Sequence, residues 1–244
     1  MPWLVFLGDT APMPDLVLAN PTVKICGIRD LQTAEVAIRF GAGALGMMFA
    51  PSRRRVDPTE VRLIRDSLAE AKPHVSVVGV VVNETARTLD ALVEQSGIDM
   101  IQLSGDESPQ LLDQLQVPVI KAIRIKPGSG EEEARRVIDP WLEHRRPVAA
   151  ILLDAYVDGH YGGTGLRSDW ELAARLAERY PLMLAGGLTP ENVAASVQQV
   201  LPFGVDVSSG VETAGVKDPT KIRRFLAASL AAFASVVPTG VSKG

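Results

Sequence analysis

The chain has 244 residues, 46% of them hydrophobic and 22% charged, with a formal net charge of −4 at pH 7 and a single cysteine. This is the balance of a soluble globular protein. It gives no general cationic surface for nucleic acid or anionic membrane, and it excludes an internal disulfide framework, which suits a reducing cytoplasm.

The opening, MPWLVFLGDTAPMPDLVLANP, carries an apolar patch but neither the basic start nor the cleavage site of a secretory leader. Residues 1–21 are therefore expected to form an extension ahead of the first structural unit. Strand-like runs then follow in order: VKIC, ALGMMF, VSVVGVVV, MIQLS, VPVIKAIR, AAILLD, PLMLA and GVDVSS. The spacing predicts helices between and after them, over 31–41, 58–71, 84–95, 108–115, 130–143, 168–179, 190–200 and 218–233. Several helices open with Asp or Thr ahead of a first-turn proline, as in DPTE, TPEN and DPT. Short, strongly apolar strands fit a parallel sheet covered by helices. About eight such β–α units in one uninterrupted stretch predict a single (β/α)8 TIM barrel over 22–235, with 236–244 as a tail. The final apolar stretch FLAASLAAFASVV is too short for a comfortable membrane span.

In such a barrel the chemistry sits where strands end and helix-bound loops begin. The unusual residues fall there. Cys26 ends the first strand, the arginines of PSRRR follow the second, Asp154 ends the sixth, and GGL and SSG follow the seventh and eighth. A free cysteine is more often a small core residue, so Cys26 gains weight only from its company. Gly186 and Gly187 stand just before a helix start, and Ser208, Ser209 and Gly210 follow the last strand. Backbone N–H groups at such turns can hold a phosphate, and the loops after strands seven and eight are its frequent place in this fold. His74, His144 and His160 are scattered and lack metal-ligand spacing. Alternation along strands puts Lys24 on the inward side with Cys26, and Asp206 with Ser208. Since the first and last strands adjoin on closure, a Lys24–Asp206 ion pair is expected below the catalytic layer, either charge alone being costly inside.

Taken together, KICGI, the arginine after GMMFAPS, ILLDA followed by YGGTG, LAGGLTPENV and VDVSSGVE resemble the phosphoribosylanthranilate isomerase family over residues 23–232. The resemblance implies a TIM barrel of the ribulose-phosphate-binding type, in tryptophan biosynthesis. The implied reaction is the Amadori rearrangement of N-(5-phosphoribosyl)anthranilate to the 1-deoxyribulose 5-phosphate, with no metal or organic cofactor. A small phosphosugar is the implied partner, with the chain a monomer or homodimer. The resemblance puts the catalytic cysteine on Cys26, the catalytic aspartate on Asp154 and the substrate-binding arginine on Arg55. It also puts the mobile substrate loop on Gly162, Gly163 and Gly165, and the phosphate turns on Gly186–Gly187 and Ser208–Ser209–Gly210.

Three features depart from the family pattern. Ser104 stands where histidine is frequent, Arg53 where serine is usual, and about twenty residues precede the common start. The rearrangement needs an acid to protonate the ribose ring oxygen and a base to take the C2′ proton of the resulting Schiff base. A carboxyl group in a partly dry cavity suits the first. A thiolate suits the second if positive charge lowers its pKa, and the iminium itself supplies such charge. The related histidine-pathway isomerase, which has aspartate where this chain has Cys26, and a non-catalytic phosphate-binding barrel are the competing expectations.

Overall fold

The computed structural model describes residue 18 and residues 21–71, 75–125, 128–154 and 165–236. Eight parallel strands close into a barrel in chain order. They are β1 (Thr22–Cys26), β2 (Ala44–Met48), β3 (Ser76–Val81), β4 (Met100–Leu103), β5 (Val119–Arg124), β6 (Ala150–Asp154), β7 (Leu182–Ala185) and β8 (Gly204–Val207). Among the described residues seven α-helices stand between or after them: α1 (Leu31–Arg39), α2 (Pro58–Ala71), α3 (Ala86–Ser96), α4 (Glu131–Leu142), α5 (Gly165–Ala177), α6 (Val193–Val200) and α7 (Pro219–Val236). The parallel barrel and its helices match the expected fold class.

Most strand residues are buried on both faces of the sheet, which is why the runs are strongly apolar. Outward residues such as Val23, Ile25, Leu45, Ile101 and Leu184 join the helices in one large core. Inward residues Ala44, Val78, Met100, Ile120, Ala150, Leu152 and Met183 fill the barrel itself. Helix starts are fixed locally. The Asp30 carboxylate accepts from the Thr33 amide at 2.8 Å, an N-cap worth about 1 kcal/mol. Ala34, Ala37 and Ile38 then follow at helical spacing on the buried side.

The structure differs from the sequence expectation in three places. The segment expected as a helix over 108–115 is a 3₁₀ turn, Pro109–Gln114. Pro118 biases Val117 away from helical angles, which leaves too few residues for a nucleated α-helix. Gly165, expected within a loop, is the first residue of α5. After β8, a small antiparallel hairpin pairs β9 (Glu212–Thr213) with β10 (Val216–Lys217). Its turn puts Ala214 and Gly215 at positive φ; alanine is not a residue that announces such a turn.

Leu18 is the one described residue of the extension before residue 21, and it is only 3% exposed. It packs with the inward-facing set of Ala44, Met100 and Met183 rather than on the helices. Since it precedes β1, it closes the N-terminal end of the barrel, opposite the strand ends that lead into the helix-bound loops. Leu18→Ala is expected to cost about 2–5 kcal/mol of stability, read as a lower denaturation midpoint, with turnover per folded molecule kept. An unchanged midpoint would deny Leu18 this sealing role. A chain starting near Pro21 is expected to behave in the same way. Among the described residues no helix is long and apolar enough to cross a membrane.

Candidate active site

Lys24 and Cys26 are the inward residues at the end of β1. Lys24 is wholly buried, and its Nζ donates to Asp206 Oδ1 at 2.8 Å. The register pairs these two residues directly across β1 and β8, so the ion pair expected from alternation is present. Gly46 of β2 makes room for this corner. A methyl group there would lie 2.8 Å from Cys26 Sγ and 3.0 Å from Lys24 Nζ. The thiol and the ammonium therefore share the space that a β2 side chain would take.

The electrostatics of the corner are balanced against an isolated thiolate. Burial pushes the Cys26 thiol up, and Asp206 adds to that, while the Lys24 and Lys217 ammonium groups pull it down without prevailing. Burial alone would lower Lys24, yet Asp206 and Cys26 raise it above its ordinary value. The sequence expectation asked for positive charge to lower the thiol's pKa. The protein supplies two such charges, and burial still wins before a cationic intermediate arrives.

Arg55, expected to bind substrate, is exposed, and its backbone amide closes a turn onto the Ser52 carbonyl at 3.1 Å. The arginine brought to the mouth is its neighbour Arg54. A Cβ on Gly27 would lie 2.5 Å from Arg54 Cδ and 3.4 Å from Ser208 Oγ, so Arg54 rests over the turn that follows Cys26. Its Nε donates to Glu212 Oε1 at 2.6 Å and its Nη2 to Oε2 at 2.9 Å. Arg53 Nη2 also donates to Oε2, at 2.7 Å. Lys217 Nζ donates to Glu212 Oε1 at 3.1 Å and to the Ser208 carbonyl at 2.8 Å. Burial works against the Glu212 charge, but Arg54 and Lys217 hold its pKa down to about 2. Three consecutive arginines in a loop have no periodicity to rank them. The cluster on Glu212 was not legible either, because its members lie on two loops far apart in sequence.

Asp154 ends β6, and its side chain is 36% exposed with Arg124 Nε 4.0 Å from Oδ2. Gly162 and Gly163 lie outside the described residues. Ser104 follows β4, and its hydroxyl accepts from Gln102 Nε2 at 3.1 Å.

The glycine turns after β7 and β8 meet directly. Gly186 and Gly187 have φ of 84° and 61°. Asn192 braces their loop: its Oδ1 accepts from the Thr189 amide at 2.8 Å, and its Nδ2 donates to the Gly187 carbonyl at 3.0 Å. A Cβ on Gly210 would overlap the Leu188 carbonyl oxygen, so only glycine lets the two loops touch. Ser209 and Gly210 lie in a single 3₁₀ turn, Ser209–Val211. Ser208 Oγ is buried among the described residues with no hydrogen-bond partner. Such turns have the backbone geometry to hold an oxyanion.

Known proteins resemble the chain over most of its length. The profile of the family described as N-(5'phosphoribosyl)anthranilate (PRA) isomerase matches residues 23–228. An N-(5'-phosphoribosyl)anthranilate isomerase from Roseiflexus sp. (strain RS-1) is 45% identical over 215 residues, covering 86% of this chain and 98% of the relative. The crystal structure of phosphoribosyl anthranilate isomerase from Thermotoga maritima superposes with a TM-score of 0.74 at 36% identity, covering 86% of this chain and 98% of its own. A structure of such an isomerase in complex with reduced 1-(o-carboxyphenylamino)-1-deoxyribulose 5-phosphate gives a TM-score of 0.72 at 34% identity, with the same coverage.

Proposed function

Because the chain belongs to the N-(5'-phosphoribosyl)anthranilate isomerase family, we infer that its mouth divides that family's chemistry between Cys26 and Asp154. The reaction is the Amadori rearrangement of N-(5′-phosphoribosyl)anthranilate to 1-(2-carboxyphenylamino)-1-deoxy-D-ribulose 5-phosphate, a step of tryptophan biosynthesis. Asp154 gives a proton to the ribose ring oxygen as the C1′–O bond breaks, and the anilino nitrogen's lone pair forms the C1′ iminium. Cys26, as thiolate, removes the C2′ proton, and the C–H electrons flow to C1′ and neutralise the nitrogen. The enolamine then tautomerises to the C2′ ketone, so the sugar is isomerised without net oxidation.

The observation that carries this reading is the corner around Gly46, where the thiol lies beside a buried ammonium and below Arg54. Burial holds the Cys26 thiol above its ordinary value, so the positive charge of the iminium is what favours the thiolate. The tight junction of the Gly187 and Gly210 loops supports phosphate at that end, with Ser208 Oγ as a side-chain donor. Arg54, rather than Arg55, is the side chain we assign to the anthranilate carboxylate, through a charge-assisted contact. The lone cysteine suits a reducing cytoplasm.

Complementation tests the activity in a cell. In a tryptophan auxotroph lacking this isomerase, the wild-type chain is expected to restore growth, and the Cys26→Ser and Asp154→Asn chains are not. Growth supported equally by all three would remove both residues from the chemistry.

A further inference from the structure

The mouth proposed to bind a dianionic phosphate and a carboxylate also holds a buried carboxylate, Glu212, whose side chain is only 4% exposed. Placed there without a task, it would repel the substrate. Its contacts suggest one. It accepts from Arg53, twice from Arg54, and from Lys217. Its own backbone carbonyl takes a further bond from Lys221 Nζ at 2.6 Å.

We propose that Glu212 is a positioning residue that fixes Arg54, and so the carboxylate end of the substrate, at a set distance from the phosphate end. This rests on the assignment of Arg54 to the anthranilate carboxylate given above. Glu212 grips the guanidinium along its Nε–Nη2 edge, which leaves both Nη1 hydrogens for a ligand. A long arginine so held has few rotamers left to lose on binding. The same carboxylate holds Lys217, whose second bond goes to the Ser208 carbonyl in the turn after β8. One side chain thus joins the β2–α2 loop, which carries Arg54, to the strand-8 turn assigned to phosphate. The spacing it sets is the spacing between the two charged ends of one substrate. Its three cations outnumber its single charge, so the cluster stays positive toward an anionic ligand.

The test is a double-mutant cycle in steady-state kinetics on the full chain, with wild type, Arg54→Ala, Glu212→Gln and the double variant. Arg54→Ala is expected to raise KM by about 10–100-fold, the loss of a charge-assisted contact, with kcat changing less. Glu212→Gln is expected to raise KM by about 10-fold. The double variant should lie within about 2-fold of Arg54→Ala, because Glu212 acts through that arginine. A residue that merely supported the fold would multiply its effect onto Arg54→Ala instead, and that product in the double variant would overturn the proposal. A wild-type KM for Glu212→Gln beside an impaired Arg54→Ala would overturn it too. A wild-type KM for Arg54→Ala would refute the carboxylate assignment beneath it. Thermal unfolding of each variant confirms that folded protein is compared. If Glu212→Gln does not fold, Glu212→Asp, which keeps the charge on a shorter arm, enters the same cycle with the same criterion.

Discussion

Cys26→Ser is expected to lower kcat by about 10²–10⁴-fold, the usual contribution of a general base, while leaving affinity for a product analogue nearly unchanged. Serine keeps the shape that fits beside Gly46. It replaces a thiol of ordinary pKa about 8.5 with a much weaker acid, so no usable anion forms. The turns and the arginine proposed above to bind the substrate remain in place, and ground-state binding is expected to remain with them. The sign of the pH dependence follows from the thiol's surroundings. A base must lose its proton to act, and burial holds this one above its ordinary value. Because the thiol must be deprotonated and Asp154 protonated at once, the wild-type kcat/KM should give a bell-shaped pH profile. In Cys26→Ser the limb set by the thiol should vanish from the residual rate. A near-wild-type kcat for the serine variant would return the thiol to ordinary packing.

Asp154→Asn is expected to cost a similar factor, about 10²–10⁴ in kcat, for a different step. The amide retains most of the carboxyl's size but carries no proton to give the ring oxygen, so ring opening becomes limiting. Asp154 is partly exposed and faces Arg124 across β5 and β6. Asparagine keeps nearly the same size and an oxygen acceptor at this position, so the barrel should unfold at nearly the wild-type temperature. The measurement is kcat alongside analogue binding. Intact turnover in a folded asparagine variant would assign the acid elsewhere.

Much of the barrel was legible from residue order alone, because the strands are largely buried on both sides and several helices announce their starts. Asp30 before α1 and Pro58 and Pro219 at the openings of α2 and α7 are local signals that survive folding unchanged. The Lys24–Asp206 pair was legible for a topological reason: closure makes β1 and β8 neighbours, and alternation does the rest. What escaped was non-local. The choice between Arg54 and Arg55 depends on how a loop without periodicity lies over Gly27. The Glu212 cluster joins that loop to a hairpin whose turn uses Ala214 at positive φ. Leu18 read only as part of the extension ahead of the first strand, because nothing in its neighbours shows that it closes the barrel's lower end. Gly46 lies inside the strand-like run ALGMMF with nothing to mark it, and its meaning appears only once Cys26 and Lys24 stand beside it.

The most direct test of the account is the conversion of N-(5′-phosphoribosyl)anthranilate by the purified full-length chain in the presence of a metal chelator, with the product identified. The account predicts complete conversion to 1-(2-carboxyphenylamino)-1-deoxy-D-ribulose 5-phosphate with no added cofactor. Folded protein that leaves the substrate unconverted, or that turns over only when metal is restored, would contradict it.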